Sequence, residues 1–162
     1  MSEAAHLSEA LITLLVRSDN GWFTPFSAVV EGLMAEQALL VPAPGINCIW
    51  AVVNHMRFWN EVILLRLRGL PVNRKALGSE NGWPRPGGPG DDRAWQMACS
   101  RTITMNAEVA RLVAGLSDED LVAPLTPGRT TRYRLVHGLI GHNAYHTAEI
   151  TTVRQFLGIL PV

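Results

Sequence analysis

The amino-acid sequence predicts an all-α protein: a bundle of four main helices with one short extra helix. Three observations carry that expectation. Apolar residues recur at spacings of three and four over four separate stretches, the period of a helix with one buried face. Proline and glycine clusters interrupt the chain between those stretches, and such clusters end helices. No stretch alternates apolar and polar residues as a half-buried strand would.

Residues 6–17 form the first expected helix, with Leu7, Leu11 and Leu14 on one face and Ser2 or Ser8 as its cap. Asp19-Asn20-Gly21 ends it with a strong turn signal. Trp22, Phe23 and Phe26 follow around Pro25, and residues 25–34 give a short helix with Phe26, Val29, Val30 and Leu33 on one side. Val41-Pro42-Ala43-Pro44-Gly45 is then a loop. Residues 46–68 form the second long helix, with a stripe through Cys48, Val52, His55, Trp59 and Val62. Arg66 and Arg68 suit the negative end of its dipole, and Gly69 with Pro71 stops it.

Residues 70–93 differ in composition, being rich in proline and glycine around a single aromatic, Trp83. A loop of that length inside a compact domain is either functional or disordered; Trp83 between Gly82 and Pro84 favours an ordered flap. Residues 92–116 give the third long helix, with Asp91 and Asp92 at its positive end. Its seam runs Trp95, Ala98, Thr102, Met105, Val109, Leu112, Leu116, the alternation of helix-bundle packing. Ser117-Asp118-Glu119-Asp120 reads as a capped helical turn, and residues 123–130 as another loop. The last helix covers 131–158, with the stripe Leu135, Leu139, His142, His146, Ile150, Val153, Leu157. Thr130 or Thr131 caps it, and Gly158 followed by Pro161 ends it.

The 162 residues suffice for a single domain, 1–162, with a real core. Apolar residues make up 48% and charged residues 17%, a globular balance. Formal net charge is zero, which argues against nucleic acid or an anionic membrane as partner, since both reward clustered Lys and Arg. No run of 18 apolar residues occurs, and MSEAAHLSEA has no charged segment leading into an apolar one, so a cytoplasmic location is expected. Cys48 and Cys99 stand alone, as small buried hydrophobes of a reducing compartment.

Three histidines occupy stripe positions where an apolar residue would be expected: His55 on the second long helix, His142 and His146 on the last. A histidine on an apolar face is ordinarily a core residue held by one hydrogen bond. His142 and His146, at i and i+4, lie one above the other and can share one metal ion. His55 supplies a third ligand from a neighbouring helix. Three neutral imidazoles with positions left for water make a site of the catalytic type, compatible with Zn²⁺, Ni²⁺, Fe²⁺ or Mn²⁺. Glu149, seven residues after His142, points within about 20° of it on an ideal helix. It is the candidate catalytic carboxylate, able to orient a ligand, take a proton from metal-bound water or coordinate the metal. Its bland reading is a surface ion-pair former. His137 sits about 140° round from His142 and is expected to face away; His6 is expected in solvent. Trp59, Trp22 and Phe23 fit either core packing or a pocket wall. Asn143 follows His142 where the H-E-x-x-H metalloprotease pattern needs Glu, which excludes that class.

The order of these features resembles the DinB/YfiT-like family of four-helix-bundle metalloproteins. The resemblance rests on NHMRFWNEVILLRLRG around His55, the Trp-Pro loop at Trp83, and HGLIGHNAYHTAEI in the last helix, the most specific part. It covers nearly the whole chain. It implies an up-down-down-up bundle, a divalent metal on His55, His142 and His146, and a homodimer. Families with this fold include thiol-dependent S-transferases, isomerases and proteins labelled metal-dependent hydrolases, so the fold narrows the site further than the reaction.

Three functions follow for a small-molecule site. A metal-dependent hydrolase would use bound water as nucleophile, with Glu149 beside it. An S-transferase would bind a low-molecular-weight thiol and need cations for its carboxylates, for which Arg57, Arg66 and Arg154 are candidates. A metal-binding stress-response protein would have the site without turnover.

Overall fold

The computed structural model describes residues 1–16, 22–125 and 130–159. The Asp19-Asn20-Gly21 turn, Pro161 and the middle of the 123–130 loop lie outside the described residues. Among the described residues there are seven helices: α1 (Glu3–Leu15), α2 (Phe26–Val30), α3 (Ala35–Ala38), α4 (Ile49–Leu67), α5 (Asp92–Ala114), α6 (Asp118–Val122) and α7 (Arg132–Phe156). No strand occurs among the described residues, where Pro124 and Thr131 form an isolated bridge. None of the described helices is long and apolar enough to cross a membrane.

The four long helices lie where apolar spacing puts them, and side-chain caps fix the starts of α1, α5 and α7. Ser2 Oγ accepts the Ala5 N–H, so α1 begins ahead of its leucine stripe. Thr131 Oγ1 accepts from the Arg134 N–H at the head of α7. Ser117 and Asp120 close a reciprocal capping box on α6, which satisfies backbone donors a helix start otherwise leaves open. Short helices among the described residues number three: α2 is the expected extra helix, α6 is the expected capped turn at residues 117–120, and α3 is an addition to the expected set. α3 follows α2 after a four-residue break and is tied to α5 by the Ala35 N–H, which donates to Asp92 Oδ1 at 2.7 Å. Arg154, buried on α7, donates to the Val29, Glu31 and Ile159 carbonyls at 2.7, 3.0 and 2.9 Å. These bonds hold the end of α2 against α7.

Around the bundle α1 and α4 occupy opposite corners, each packed between α5 and α7. Trp50 meets Trp95 near the starts of α4 and α5, with centroids 5.6 Å apart. Arg68 meets Glu108 at 2.9 Å near their ends. The two neighbours therefore run parallel, and parallel neighbours need a long crossover, which residues 68–91 provide. α7 runs antiparallel to α4, since His146 lies against His55 and the earlier His142 against the later Trp59.

The buried apolar residues form two clusters. One gathers Phe26, Leu33, Trp50, Met56, Trp95 and Ile150; the other Leu7, Leu11, Leu64, Val109, Leu121 and Val136. Between them lies a layer of amides from three helices. Asn143 Nδ2 donates to Asn60 Oδ1 at 3.1 Å and Asn106 Oδ1 at 3.2 Å, and Asn106 Nδ2 donates to the Leu11 carbonyl of α1 at 2.8 Å. All three asparagines are buried.

The layer explains where two expected stripes shift. On α5, Met105 and Leu112 are half-buried at the flank while Asn106 and Val113 take the centre. A strict seven-residue repeat drifts by about 20° per heptad on a straight helix, enough to hand the seam to the next residue. On α7 the buried line runs through Val136, Leu139, Asn143, His146, Ile150 and Val153, leaving Leu135, His142 and Leu157 half-buried at its edge. Cys48 and Cys99 are free thiols in the core, as expected, and burial pushes the Cys99 thiol up to about 12.

Candidate metal centre

His55 projects from the middle of α4, and His142 and His146 from successive turns of α7. One ring nitrogen from each comes within 4.8 Å of the others. His142 Nε2 and His55 Nε2 are 3.1 Å apart. Tetrahedral ligands at 2.0–2.1 Å from a metal stand about 3.3 Å from one another, so this pair already has the separation a shared cation requires. His55 and His146 are 8% and 7% exposed; His142 is the most open of the three.

The outer nitrogens set the rings. His55 Nδ1–H donates to the Gly82 carbonyl at 2.7 Å, which leaves its Nε2 bare and aimed at His142. His146 Nδ1 lies 2.6 Å from Glu149 Oε2, turning its Nε2 the other way. A carbonyl and a carboxylate behind two imidazoles form the outer shell that orients metal-binding histidines and fixes their tautomers. His142 Nδ1 is buried without a partner. Glu149→Gln is accordingly expected to weaken divalent-metal affinity roughly 10–100-fold with the fold intact, measured by competition against a chromogenic chelator. The cluster fits a divalent cation by chemistry as well: it offers three nitrogen donors, and His55 and His142 are held neutral at neutral pH.

That neutrality has a physical source. Burial lowers the pKa of His142, reinforced by the neighbouring imidazoles, to about 4, and burial lowers His55 as well. An unfolded chain takes up protons as pH falls through about 6.5, while folded His142 stays neutral to about 4. The unfolded state binds more protons in that window, so stability falls with falling pH. Metal-free protein is expected to lose thermal stability between pH 6.5 and 4, with a flatter dependence in a His142→Leu variant. Melting temperatures across that range measure both.

The segment after α4 covers this cluster as an ordered flap. Trp83 stacks on His55 with centroids 3.8 Å apart and planes at 15°. Asn54 Nδ2 donates to the Arg85 carbonyl at 3.0 Å and reaches the Pro84 carbonyl at 3.5 Å. Gly82, at φ +87°, brings its backbone against Trp59 and Phe58. A Cβ added at Gly87 would stand 2.6 Å from the Trp50 ring. Gly87→Ala should therefore lower stability by about 1–3 kcal/mol, the range for overpacking, read from denaturant unfolding.

The remaining candidates sort cleanly. Glu149 lies against His146 rather than above His142, because a spacing of three residues brings side chains together as well as one of seven. His6 is exposed, and His137 is exposed and stacked on Tyr133. Trp59 makes edge contacts with His55 and His142 at 6.3 and 6.4 Å and walls a groove beside His142. Trp22 and Phe23 are exposed and line a groove against Ala144, Thr147 and Thr151 of α7. Of the arginines proposed for an anionic cofactor, Arg57 pairs with Glu61 at 3.4 Å and Arg154 is spent on backbone carbonyls. Arg66 sits in the last turn of α4. Sequence reasoning missed Gly82, whose contribution is a backbone carbonyl, and Asn54, which holds the flap.

A family model described as DinB superfamily matches residues 24–150, well over half of the chain. No curated protein and no solved structure matches it.

Proposed function

The chain belongs to the DinB superfamily, and from that premise we propose a metal-dependent enzyme acting on a small molecule, with hydrolysis as the leading reaction. One observation carries the reading: three imidazoles from two helices converge, with Gly82 and Glu149 behind two of them. His55, His142 and His146 would hold a divalent transition metal. Such an ion supplies Lewis acidity, polarising a substrate oxygen and lowering the pKa of a water or thiol bound beside it. The stacked Trp83 and the edge of Trp59 exclude bulk water, which strengthens electrostatic effects inside the site. Glu149 is engaged by His146, so its part is to hold that ring.

A second reading, transfer of a low-molecular-weight thiol, is favoured by that same engagement. No other carboxylate joins the cluster among the described residues, and a thiol, with a pKa near 8.5, needs far less help to ionise than water. The test is a metal-loaded sample offered activated aryl esters, then an electrophile with and without added thiols. Ester cleavage without thiol supports hydrolysis; strictly thiol-dependent turnover supports transfer. Stoichiometric metal with neither reaction favours a metal-binding protein without turnover.

A further inference from the structure

We infer that the groove beside His142 binds a small, flat apolar acid, its carboxylate held by Arg134 and its reactive end turned towards the three histidines. This names the substrate class for the site proposed above and rests on that reading. The groove has a volume of about 290 Å³, near the lower limit for small-molecule sites, roughly 300 Å³. Its walls are the Trp59 indole, Ile63 and Leu139, and among the described residues its charged or titratable lining side chains are His142 at one end and Arg134.

Three features point to this occupant. Arg134 is exposed and joins no ion pair among the described residues, where Arg57, Arg68 and Arg101 do. Arg74, from the loop that covers the site, lies 5.0 Å over the same Trp59 ring, also without an ion pair among the described residues. One guanidinium lining an apolar slot, with a second over the indole that walls it, complements one anionic group on an apolar body. The third feature is Gly138. Glycine is unfavourable inside a helix, and Gly138 has neither a positive φ nor a neighbour within 4 Å of an added Cβ. What it leaves is open floor in the groove, one turn from His142.

The spacing sets the ligand's length. Arg134 and His142 are eight residues apart on one helix, a rise of about 12 Å. After allowing for the reach of the arginine, the acid and the reacting atom stand on the order of 10 Å apart. An arylalkanoate has those proportions.

The experiment uses 4-phenylbutyrate and its neutral amide, titrated calorimetrically into chelator-treated full-length protein, so that the carboxylate has no metal to bind. The acid is expected to bind at least tenfold more tightly than the amide, less so at high salt. Arg134→Gln should bring acid and amide within twofold of each other while leaving the amide unchanged. Gly138→Leu, which fills the floor with a better helix former, should abolish binding of both without lowering the melting temperature. The inference is overturned by no binding of the acid, by equal binding of acid and amide, by a preference that survives Arg134→Gln, or by binding that survives Gly138→Leu. Cobalt(II) loading, followed by its visible absorption, separates this from the metal reading. Metal uptake without the acid preference removes the groove alone, and the acid preference without metal uptake removes the metal alone.

Discussion

Protein purified without an affinity tag is expected to carry near-stoichiometric transition metal, and His142→Ala is expected to lack it. The loss in affinity should exceed the roughly 10–100-fold that removal of an outer-shell partner causes, because a donor atom itself is gone. Of the three histidines this one gives the cleanest test. Its Nδ1 has no partner, so truncation breaks no bond to the flap. His55→Ala, by contrast, removes the hydrogen bond to Gly82 and the stack under Trp83 together. That variant should lose metal and also loosen residues 82–85, giving faster amide exchange there. Elemental analysis of the three proteins, before and after incubation with Zn²⁺, Ni²⁺ and Mn²⁺, reads the outcome. Equal metal in wild type and His142→Ala would reduce the cluster to core histidines.

The largest effect on stability is expected from Trp95→Ala. The indole is fully buried, sits edge-on to Trp50 and donates Nε1–H to the Leu33 carbonyl at 2.7 Å. Truncation removes the apolar surface, opens a cavity and strands the carbonyl, for about 3–5 kcal/mol in total. For a chain of this size each kcal/mol lowers Tm by about 2–4 °C, so a fall of roughly 6–20 °C is expected by calorimetry. The groups that the indole meets, Trp50 and the Leu33 carbonyl, are not those of the histidine cluster, so the geometry of that cluster at low temperature should survive. Trp95→Phe, which keeps most of the volume but not the donor, should fall between the two. A variant as stable as wild type would mean that the loop before α3 does not depend on the indole.

Much of this was legible in the sequence, for a definable reason. Burial leaves its mark as periodicity, so His55, His142 and His146 stood out as nitrogen donors in apolar stripes. The short α3 left none, because four residues cannot display a period and prolines follow close behind. Asn60, Asn106 and Asn143 were hidden by polarity, although Met56-Asn60-Ile63-Leu67 and Leu139-Asn143-His146-Ile150 both have the 4, 3, 4 spacing of a buried line. An amide in such a line is invisible to a search for hydrophobes. The support under His55 was illegible in principle: it is a main-chain carbonyl, placed by the path of the flap and not by the identity of a side chain. Glu149 was visible but assigned the wrong neighbour, since two histidines lay within helical reach of it.

The amide layer has a consequence for how the helices are aligned. Each asparagine finds its partners at one height in the bundle, with leucines, valines and aromatics immediately above and below. If α7 slid one turn along α4, Asn143 would face apolar side chains, and Asn60 and Asn106 would lose the donor they share. The layer thus acts as a vernier: one setting joins the three amides, and neighbouring settings strand the groups now paired. Because Asn143 lies between His142 and His146, and Asn60 little more than a turn beyond His55, the same setting brings the imidazoles level. Leucine at all three positions would be expected to give a bundle that still folds but no longer knows where to stop.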